Sequence, residues 1–175
     1  RPGRLVDLNG VATLAGISAT PEGGLRIGAM TRHRALETST LVAERAPLLA
    51  EAMPFIAHPQ IRNRGTLGGS LAHADPAAEL PAVTLALEAT MEIQRRSAVR
   101  RVPAAEFFTG LFATALLPGE LLTAIELPPQ AARSGWAFEE MSRRHGDYAL
   151  VGVAVLVTLG ENRRCLAARV VLFSV

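Results

Sequence analysis

Lysine is absent from this chain of 175 residues, so all 18 of its basic residues are arginines. They stand against 16 Asp and Glu residues, which leaves a formal net charge of +2. Two surplus charges spread along the chain do not form the basic stripe that nucleic-acid binding requires, and aromatic residues for base stacking are few. We therefore expect no nucleic-acid partner.

Cysteine is nearly absent as well. Cys165 has no second cysteine with which to form an internal disulfide, and no Cys/His cluster has metal-ligand spacing. The sequence thus predicts neither disulfide bonds nor a metal site. This composition favours a reducing compartment, and we expect the protein in the cytoplasm, either free or at the inner face of the membrane.

Long apolar runs are also missing. The longest, "YALVGVAVLVTLG" from Tyr148, is shorter than the roughly 18 to 20 residues of a membrane span and is rich in β-branched residues, so it predicts a buried strand. The amino end "RPGRLVDLNGV" has neither the charged region nor the apolar region of a signal peptide. The chain does not begin with Met, and we interpret it as a segment of a longer protein.

Hydrophobic residues make up 49% of the chain, enough to bury a core. Turn signals at Pro21–Gly24 predict a hairpin between "LAGI" and "LRIGAM". Helical periodicity follows, with two helices joined near Ala46. Further predictions are a hairpin from "TMEIQRR" and "AVRRVP", a short helix at "AAEFF", and strands at "ELLTAIELP", Trp136–Met141, Tyr148–Leu159 and Cys165–Phe173. A boundary is expected near residues 130–135.

The stretch "IRNRGTLGGSLAHADPAAELPA", Ile61–Ala82, is the most distinctive part of the sequence. A Gly-Gly pair permits positive φ and removes Cβ atoms, so consecutive N–H groups can converge on an anion. Thr66 and Ser70 could add hydroxyl donors. The pattern matches neither G-x-G-x-x-G nor G-x-x-x-x-G-K-[ST], which excludes a Rossmann fingerprint and a P-loop. The alternative is that "TLGGS" is only a tight turn.

An apolar helix is expected directly after this stretch. Asp75 is a candidate N-cap with Pro76 at the first helical position and Glu79 near capping-box spacing, although Pro81 also permits a start one turn later.

The other candidate residues each have an ordinary structural explanation. His73 could lie at a site mouth or on the surface. Tyr148, the only tyrosine, could serve a ligand or simply pack at a rim. Arg143, Arg144 and Asp147 have the character of a solvated ion pair. No Ser lies in G-x-S-x-G and no carboxylate pair is marked by its context, so nothing argues for a hydrolase.

The stretch from Ile61 onward closely resembles the FAD-binding subunit of molybdenum hydroxylases, a family that includes carbon monoxide dehydrogenase medium chains and the flavin domain of xanthine dehydrogenase. Supporting stretches in the family's order are "RPGRLVDLNGV", "LRIGAMTRHRALE", "ELLTAIELP" and "FEEMSRRHGDYALVGVAV". The resemblance implies an α+β fold of the kind found in vanillyl-alcohol oxidase and p-cresol methylhydroxylase. Residues 1–132 would be the second FAD-binding subdomain, a mixed sheet with flanking helices, and residues 133–175 the start of a carboxyl-terminal sheet-and-helix domain.

Two glycine loops hold the FAD pyrophosphate in similar proteins. The resemblance places the first of them before a strand at "RPGRLVDL", and therefore before residue 1, so only the second loop is expected here. The resemblance implies that the phosphate loop is Thr66, Leu67, Gly68, Gly69 and Ser70, and that Ala57, Ile61 and Gly65 line its approach. His73 and Glu79 would lie near the ribityl and phosphate groups of FAD. Leu122 would make an apolar contact, and the ring of Tyr148 would lie beside the isoalloxazine. Ser70 stands where Asn is more usual in similar chains.

The resemblance implies an oxidoreductase component with FAD as its cofactor and with no catalytic acid or base of its own. Iron-sulfur clusters would lie on a small partner subunit and molybdopterin on a large one, in a dimer of heterotrimers. Electrons would pass from the clusters through FAD to an external acceptor. The alternative is a stand-alone flavin oxidase or reductase, whose acid or base would have to be His73, His145 or Tyr148. A third alternative is a non-enzymatic anion-binding or scaffold module.

Overall fold

The computed structural model describes residues 3–175, which form an α+β fold. The strands are β1 Ile17–Ala19, β2 Leu25–Gly28, β3 Thr90–Arg95, β4 Ala98–Pro103, β5 Phe108–Gly110, β6 Ala113–Thr114, β7 Leu121–Leu127, β8 Ser134–Ser142, β9 Ala149–Leu159 and β10 Cys165–Phe173. The helices are α1 His33–Glu37, α2 Thr40–Arg45, α3 Pro47–Ala52, α4 Pro59–Arg62, α5 Leu67–His73, α6 Glu79–Ala86 and α7 Ala104–Phe107. Short 3-10 turns lie at Ala12–Leu14, Met53–Phe55 and Glu161–Arg163.

The larger sheet has the strand order β1-β2-β7-β3-β4. Strand β7 is central because its sequence "LLTAIEL" is almost wholly apolar, and Leu122, Ala124, Ile125 and Leu127 are buried. Every strand pair in the described residues is antiparallel. The α+β class is therefore confirmed, while the mixed sheet expected from the resemblance is replaced by an antiparallel one.

Strands β8, β9 and β10 form a second, three-stranded sheet in the order β10-β9-β8. Its inner face carries Phe138, Ala154, Leu156 and Phe173, all buried in the same hydrophobic cluster as the helices and the larger sheet. The rings of Phe138 and Phe173 stack at 5.7 Å, and Phe55 lies 5.1 Å from Phe138. One core thus joins the two sheets across the predicted boundary, and the division into residues 1–132 and 133–175 stays a prediction.

The helices between β2 and β3 begin and end where local sequence signals place them. The Ser39 hydroxyl oxygen accepts a hydrogen bond from the Val42 amide at the start of α2. Pro47 occupies the first turn of α3, so the two helices join at Ala46 as predicted. Among residues 3–175, no helix is both long enough and apolar enough to cross a membrane.

Three local predictions are wrong. The segment containing Leu5 and Val6 is exposed and is not a strand, and the first strand begins at Ile17 rather than at Leu14. Asp75 does not cap a helix: its carboxylate accepts a hydrogen bond from the Ala77 amide at 2.9 Å and closes a turn. Helix α6 begins later, at Glu79, in agreement with the start one turn downstream. Residues 1 and 2 of the expected amino-terminal strand lie outside the described residues.

Candidate functional site

The Gly-Gly stretch is the first turn of helix α5, and it is not a tight turn. Thr66 is the N-cap, and its Oγ1 accepts a hydrogen bond from the Gly69 amide at 3.2 Å. Neither Gly68 nor Gly69 has a positive φ, so the pair does not use the left-handed backbone that glycine permits. Helix α5 has seven residues and ends at Ala74, which takes the left-handed conformation.

Close approach explains the glycine at position 68. A Cβ atom there would lie 2.4 Å from the Cβ of Ala29, the residue that follows β2. The Gly68 amide donates to the Ala29 carbonyl at 2.8 Å, and the Leu67 amide donates to the Thr31 carbonyl at 3.0 Å. These bonds join the start of α5 to the end of β2. They also occupy two of the amides that the sequence predicted for an anion.

The donors left near the start of α5 are therefore few. The Thr66 hydroxyl accepts from Gly69 and retains its own proton, and the Ser70 hydroxyl has no hydrogen-bond partner among the described residues. Gly69 is exposed, but its amide is already bonded to Thr66 Oγ1. Arg32 pairs with Thr66 in a β-bridge, and Arg64 precedes the loop. Within residues 3–175, neither arginine forms a salt bridge with a carboxylate.

A cleft of about 330 Å³ opens beside α5. One wall comes from α1, the segment before α4, and α5, while the connection into α6 forms another. The loop between β8 and β9 closes the remaining side, so both predicted domains line it. The lining residues are His33, Ile56, Ala57, Ile61, Ser70, His73, Asp75, Ala78, Glu79, Gly146, Asp147 and Tyr148.

Buried Arg62 fixes the wall of the cleft near Ala57. Its guanidinium forms a bidentate ion pair with Glu37, both N–O distances being 3.0 Å, and this pairing lowers the pKa of Glu37. The same guanidinium donates to the carbonyl oxygens of Ile56 and Ala57 at 3.0 and 2.9 Å. Ala57 has a φ of 47°, and these hydrogen bonds hold that strained conformation in place.

The opposite side of the cleft is acidic. Glu79 is buried at the first position of α6, and burial together with the nearby charge of Asp75 raises its pKa. Glu140 on β8 lies close enough to interact electrostatically with Glu79. One carboxylate oxygen of Glu140 is buried and has no hydrogen-bond partner among the described residues. Burial first, and the charge of Glu79 second, raise the pKa of Glu140 to about 7. The carboxylates of Asp75 and Glu79 therefore make the α6 side of the cleft acidic.

Six of the twelve sequence-predicted site residues line the cleft together: Ala57, Ile61, Ser70, His73, Glu79 and Tyr148. Tyr148 is 65% exposed at the rim, and the His73 side chain is also exposed, with its ring 5.2 Å from Phe112. Gly65, Thr66, Leu67, Gly68 and Gly69 form the adjacent segment into α5. Leu122 alone stands apart, because it is buried within β7 of the larger sheet.

The structure adds residues that the sequence did not single out. His33 lines the cleft and is 5% exposed, and Arg62 supports the wall. The quoted stretch "LRIGAMTRHRALE" contains His33, but a lone histidine near a helix start carries no local signal of burial. His145, considered as an acid or base, lies outside the cleft and packs near Phe55. Among residues 3–175, no group of three or more His, Cys, Asp or Glu side chains could hold a metal ion.

Comparison with known proteins identifies a family. Residues 1–130 match the family described as the FAD binding domain in molybdopterin dehydrogenase. The alpha subunit of the 6-hydroxypseudooxynicotine dehydrogenase complex of Paenarthrobacter nicotinovorans is 50% identical over 97% of this chain and 57% of its own length. The carbon monoxide dehydrogenase medium chain of Hydrogenophaga pseudoflava is 42% identical over 93% of this chain and 56% of its own.

The fold comparison leads to the same family. The crystal structure of quinoline 2-oxidoreductase from Pseudomonas putida 86 superposes with a TM-score of 0.93 and 43% identity, over 100% of this chain and 60% of that one. The chain thus spans a little over half the length of the curated relatives it matches. The family description includes FAD, the cofactor that the resemblance implied. The chain belongs to the family of FAD-binding domains of molybdopterin dehydrogenases.

Proposed function

We propose that this chain is the FAD-binding part of a molybdenum hydroxylase, in which electrons from iron-sulfur clusters on a partner subunit pass through FAD to an external acceptor. The observation that carries the proposal is the cleft beside α5. It brings together Ser70, Glu79 and Tyr148 from three separate elements, in a chain that belongs to an FAD-binding family. The cleft joins a polar helix start, an apolar wall and an exposed aromatic ring.

The residues present fit the pyrophosphate end of FAD at the start of α5. The proton of the Thr66 hydroxyl and the Ser70 hydroxyl are the donors available to phosphate oxygens, because the Gly69 amide already donates to Thr66 Oγ1. The Leu67 and Gly68 amides are already bonded, so their part is to hold α5 against the sheet. Arg32 and Arg64 add positive charge on this side.

Charge polarity sets the direction in which FAD would lie. Phosphates are repelled by Asp75 and Glu79, whose carboxylates suit the hydroxyl donors of a polyol chain instead. The ribityl chain would therefore cross the cleft past Ala57, Ile61 and His73, and the isoalloxazine would lie towards Tyr148 at the rim. Leu122 does not reach the cleft from its buried position in β7, and we propose no contact for it.

When bound, FAD supplies the ability to accept electrons singly and to deliver two to an acceptor. The chain's own residues bind and orient the cofactor and exclude water from its buried side. No proton transfer by a side chain is required, and we propose no catalytic acid or base in this segment.

The proposed protein works together with partner subunits. The Paenarthrobacter relative is a subunit of a dehydrogenase complex, and the Hydrogenophaga relative is a medium chain. A related carbon monoxide dehydrogenase structure is described as lacking the Mo-pyranopterin moiety of its molybdenum cofactor. These names support a multi-subunit complex. We propose that it contains an iron-sulfur small subunit and a molybdenum large subunit in a dimer of heterotrimers, in the cytoplasm or at the inner face of the membrane.

Co-expression of the full-length protein with the products of its neighbouring genes tests the proposal. A complex containing iron, molybdenum and FAD is expected, and its flavin absorbance should bleach when the molybdenum subunit's substrate is added without an acceptor. A flavoprotein that purifies alone and is reduced directly by a small substrate would instead support a stand-alone oxidase or reductase. His73 and Tyr148 would then be the acid or base candidates within the cleft.

A further inference from the structure

The imidazole of His33 is a buried polar group without a hydrogen-bond partner. The residue is 5% exposed, and neither Nδ1 nor Nε2 meets a donor or acceptor among the described residues. Only its backbone is engaged, since its amide donates to the Gly65 carbonyl at 3.0 Å. Nearly all buried polar side-chain atoms in proteins are hydrogen-bonded, so an unpaired buried imidazole is unusual. A bound ligand could supply the missing partner.

Gly65 lies against the ring. A Cβ at position 65 would lie 2.8 Å from His33 Nδ1 and 2.9 Å from His33 Cε1, so any residue other than glycine would displace the imidazole. The ring lies on the cleft wall together with Ile61 and Ser70. His33 is thus packed into a fixed position between the start of α5 and the cleft.

The environment favours the uncharged form of the ring. Burial lowers the pKa of His33, the backbone of Thr66 partly opposes this shift, and the positive charge of Arg62 lowers the pKa further. Arg62 itself is committed to Glu37 and to backbone carbonyls. A neutral imidazole presents one N–H donor and one lone pair, and the group that matches both is a hydroxyl rather than a phosphate.

We propose that His33 is a cofactor-binding residue that forms a hydrogen bond with a ribityl hydroxyl of FAD. This inference rests on the proposed function. We assign the ribityl chain to this ring because His33 lines the same cleft as Ser70, a candidate phosphate donor, and Tyr148, the candidate isoalloxazine contact. In FAD, the ribityl chain is the part that joins the pyrophosphate to the isoalloxazine.

The test measures flavin affinity in the full-length protein after its cofactor is removed. His33→Phe keeps a ring of similar size without nitrogen atoms, and His33→Gln keeps a donor and an acceptor. His145→Phe is the matched control, because it makes the same change at a histidine outside the cleft. We expect His33→Phe to weaken FAD and FMN binding by about 3- to 10-fold, the effect of one neutral hydrogen bond, with partial recovery in His33→Gln. ADP, which has no ribityl chain, should bind all variants equally.

A second measurement does not depend on the stability of the variants. With histidine labelled by ¹⁵N, addition of FAD to the wild-type apoprotein should move the ring-nitrogen resonances that are missing from the spectrum of His33→Phe. If these resonances stay in place and His33→Phe binds FAD like the wild type, the His33 inference fails while the flavin function stands. If ADP binding weakens and FMN binding does not, the ribityl assignment is wrong. If the wild type binds neither FAD nor FMN, the proposed function fails as well.

Discussion

Arg62 shows how one side chain can shape the cleft without being exposed in it. Its guanidinium pairs with Glu37 on α1 and with carbonyls of the segment before α4, so it joins two segments of one wall. A buried charge of this kind is costly unless its donors find partners, and here the charged partner lies on a helix distant in sequence. The sequence "IRNRG" shows arginines at 62 and 64 but not that only the first is buried.

Replacing Arg62 by Leu should lower the free energy of unfolding by about 3 kcal/mol, because it leaves the Glu37 carboxylate and the carbonyls of Ile56 and Ala57 without their donor. Urea denaturation followed by circular dichroism measures the change. Arg64→Leu is the control: Arg64 is exposed and its side chain should matter by no more than about 0.5 kcal/mol. Equal stability of the two variants would contradict the role given to Arg62.

The stability of the fold should depend on pH through Glu140, and the burial of this residue sets the sign. Its pKa is raised to about 7 in the fold, against 4.5 in an unfolded chain, so the folded state keeps a proton that the unfolded state releases. The contribution of this carboxyl group to the free energy of unfolding is fully present below pH 4.5 and is lost as the pH rises through 7. Glu140→Gln, which cannot ionise, should therefore raise the melting temperature at pH 8 by roughly 2–4 °C, corresponding to about 1 kcal/mol after allowance for partial exposure.

Exposed Glu139 provides the comparison for this prediction. Melting curves of Glu139→Gln should follow the wild type from pH 5 to pH 8, whereas those of Glu140→Gln should separate from it as the pH rises. A Glu140→Gln variant that melts with the wild type at pH 8 would show that the carboxyl group is ionised without cost.

At the scale of elements, most strands were predictable and the start of α5 was not. The apolar run of β7 and the turn at Gly160–Asn162 act locally, so the sequence placed β7, β9 and β10 to within a residue or so. The start of α5 depends on Ala29, which is distant in sequence and lies against Gly68. Local rules therefore indicated a turn or a positive φ where the real constraint is helix-to-strand contact.

Gly68→Ala should push α5 away from the end of β2. The added Cβ would lie 2.4 Å from the Cβ of Ala29 and 2.9 Å from its backbone. Overpacking of this kind costs about 1–3 kcal/mol, and the displaced helix should also hold less flavin. Gly135→Ala in β8 is the matched control, since a Cβ there meets nothing within 4 Å. Calorimetry and the flavin-to-protein absorbance ratio measure the two effects. Unchanged values in Gly68→Ala would remove the close-packing explanation.

At the scale of the molecule, the family resemblance predicted the α+β class, but not how the parts share a core. Phe138 and Phe173 from the second sheet belong to the same buried cluster as α3 and α6. The cleft likewise takes Gly146 and Tyr148 from beyond the predicted boundary. Such long-range packing leaves no periodic signal, so the boundary near residue 132 was visible as a change in composition only.

A protein truncated after residue 132 should therefore fold poorly. Removal of β8–β10 exposes the apolar faces of α3 and α6, and we expect loss of a cooperative thermal transition together with aggregation. Circular dichroism melting and gel filtration measure both. A monomeric, cooperatively melting truncation would show instead that residues 1–132 form an independent folding unit.

The flavin content of the purified full-length protein tests the central claim most directly. The protein is denatured, and the released chromophore is identified and quantified by absorbance and chromatography against protein concentration. A cofactor cleft built as described predicts about one FAD per chain, released only on denaturation. A colourless protein that yields no FAD, even after incubation with excess cofactor, would contradict the account.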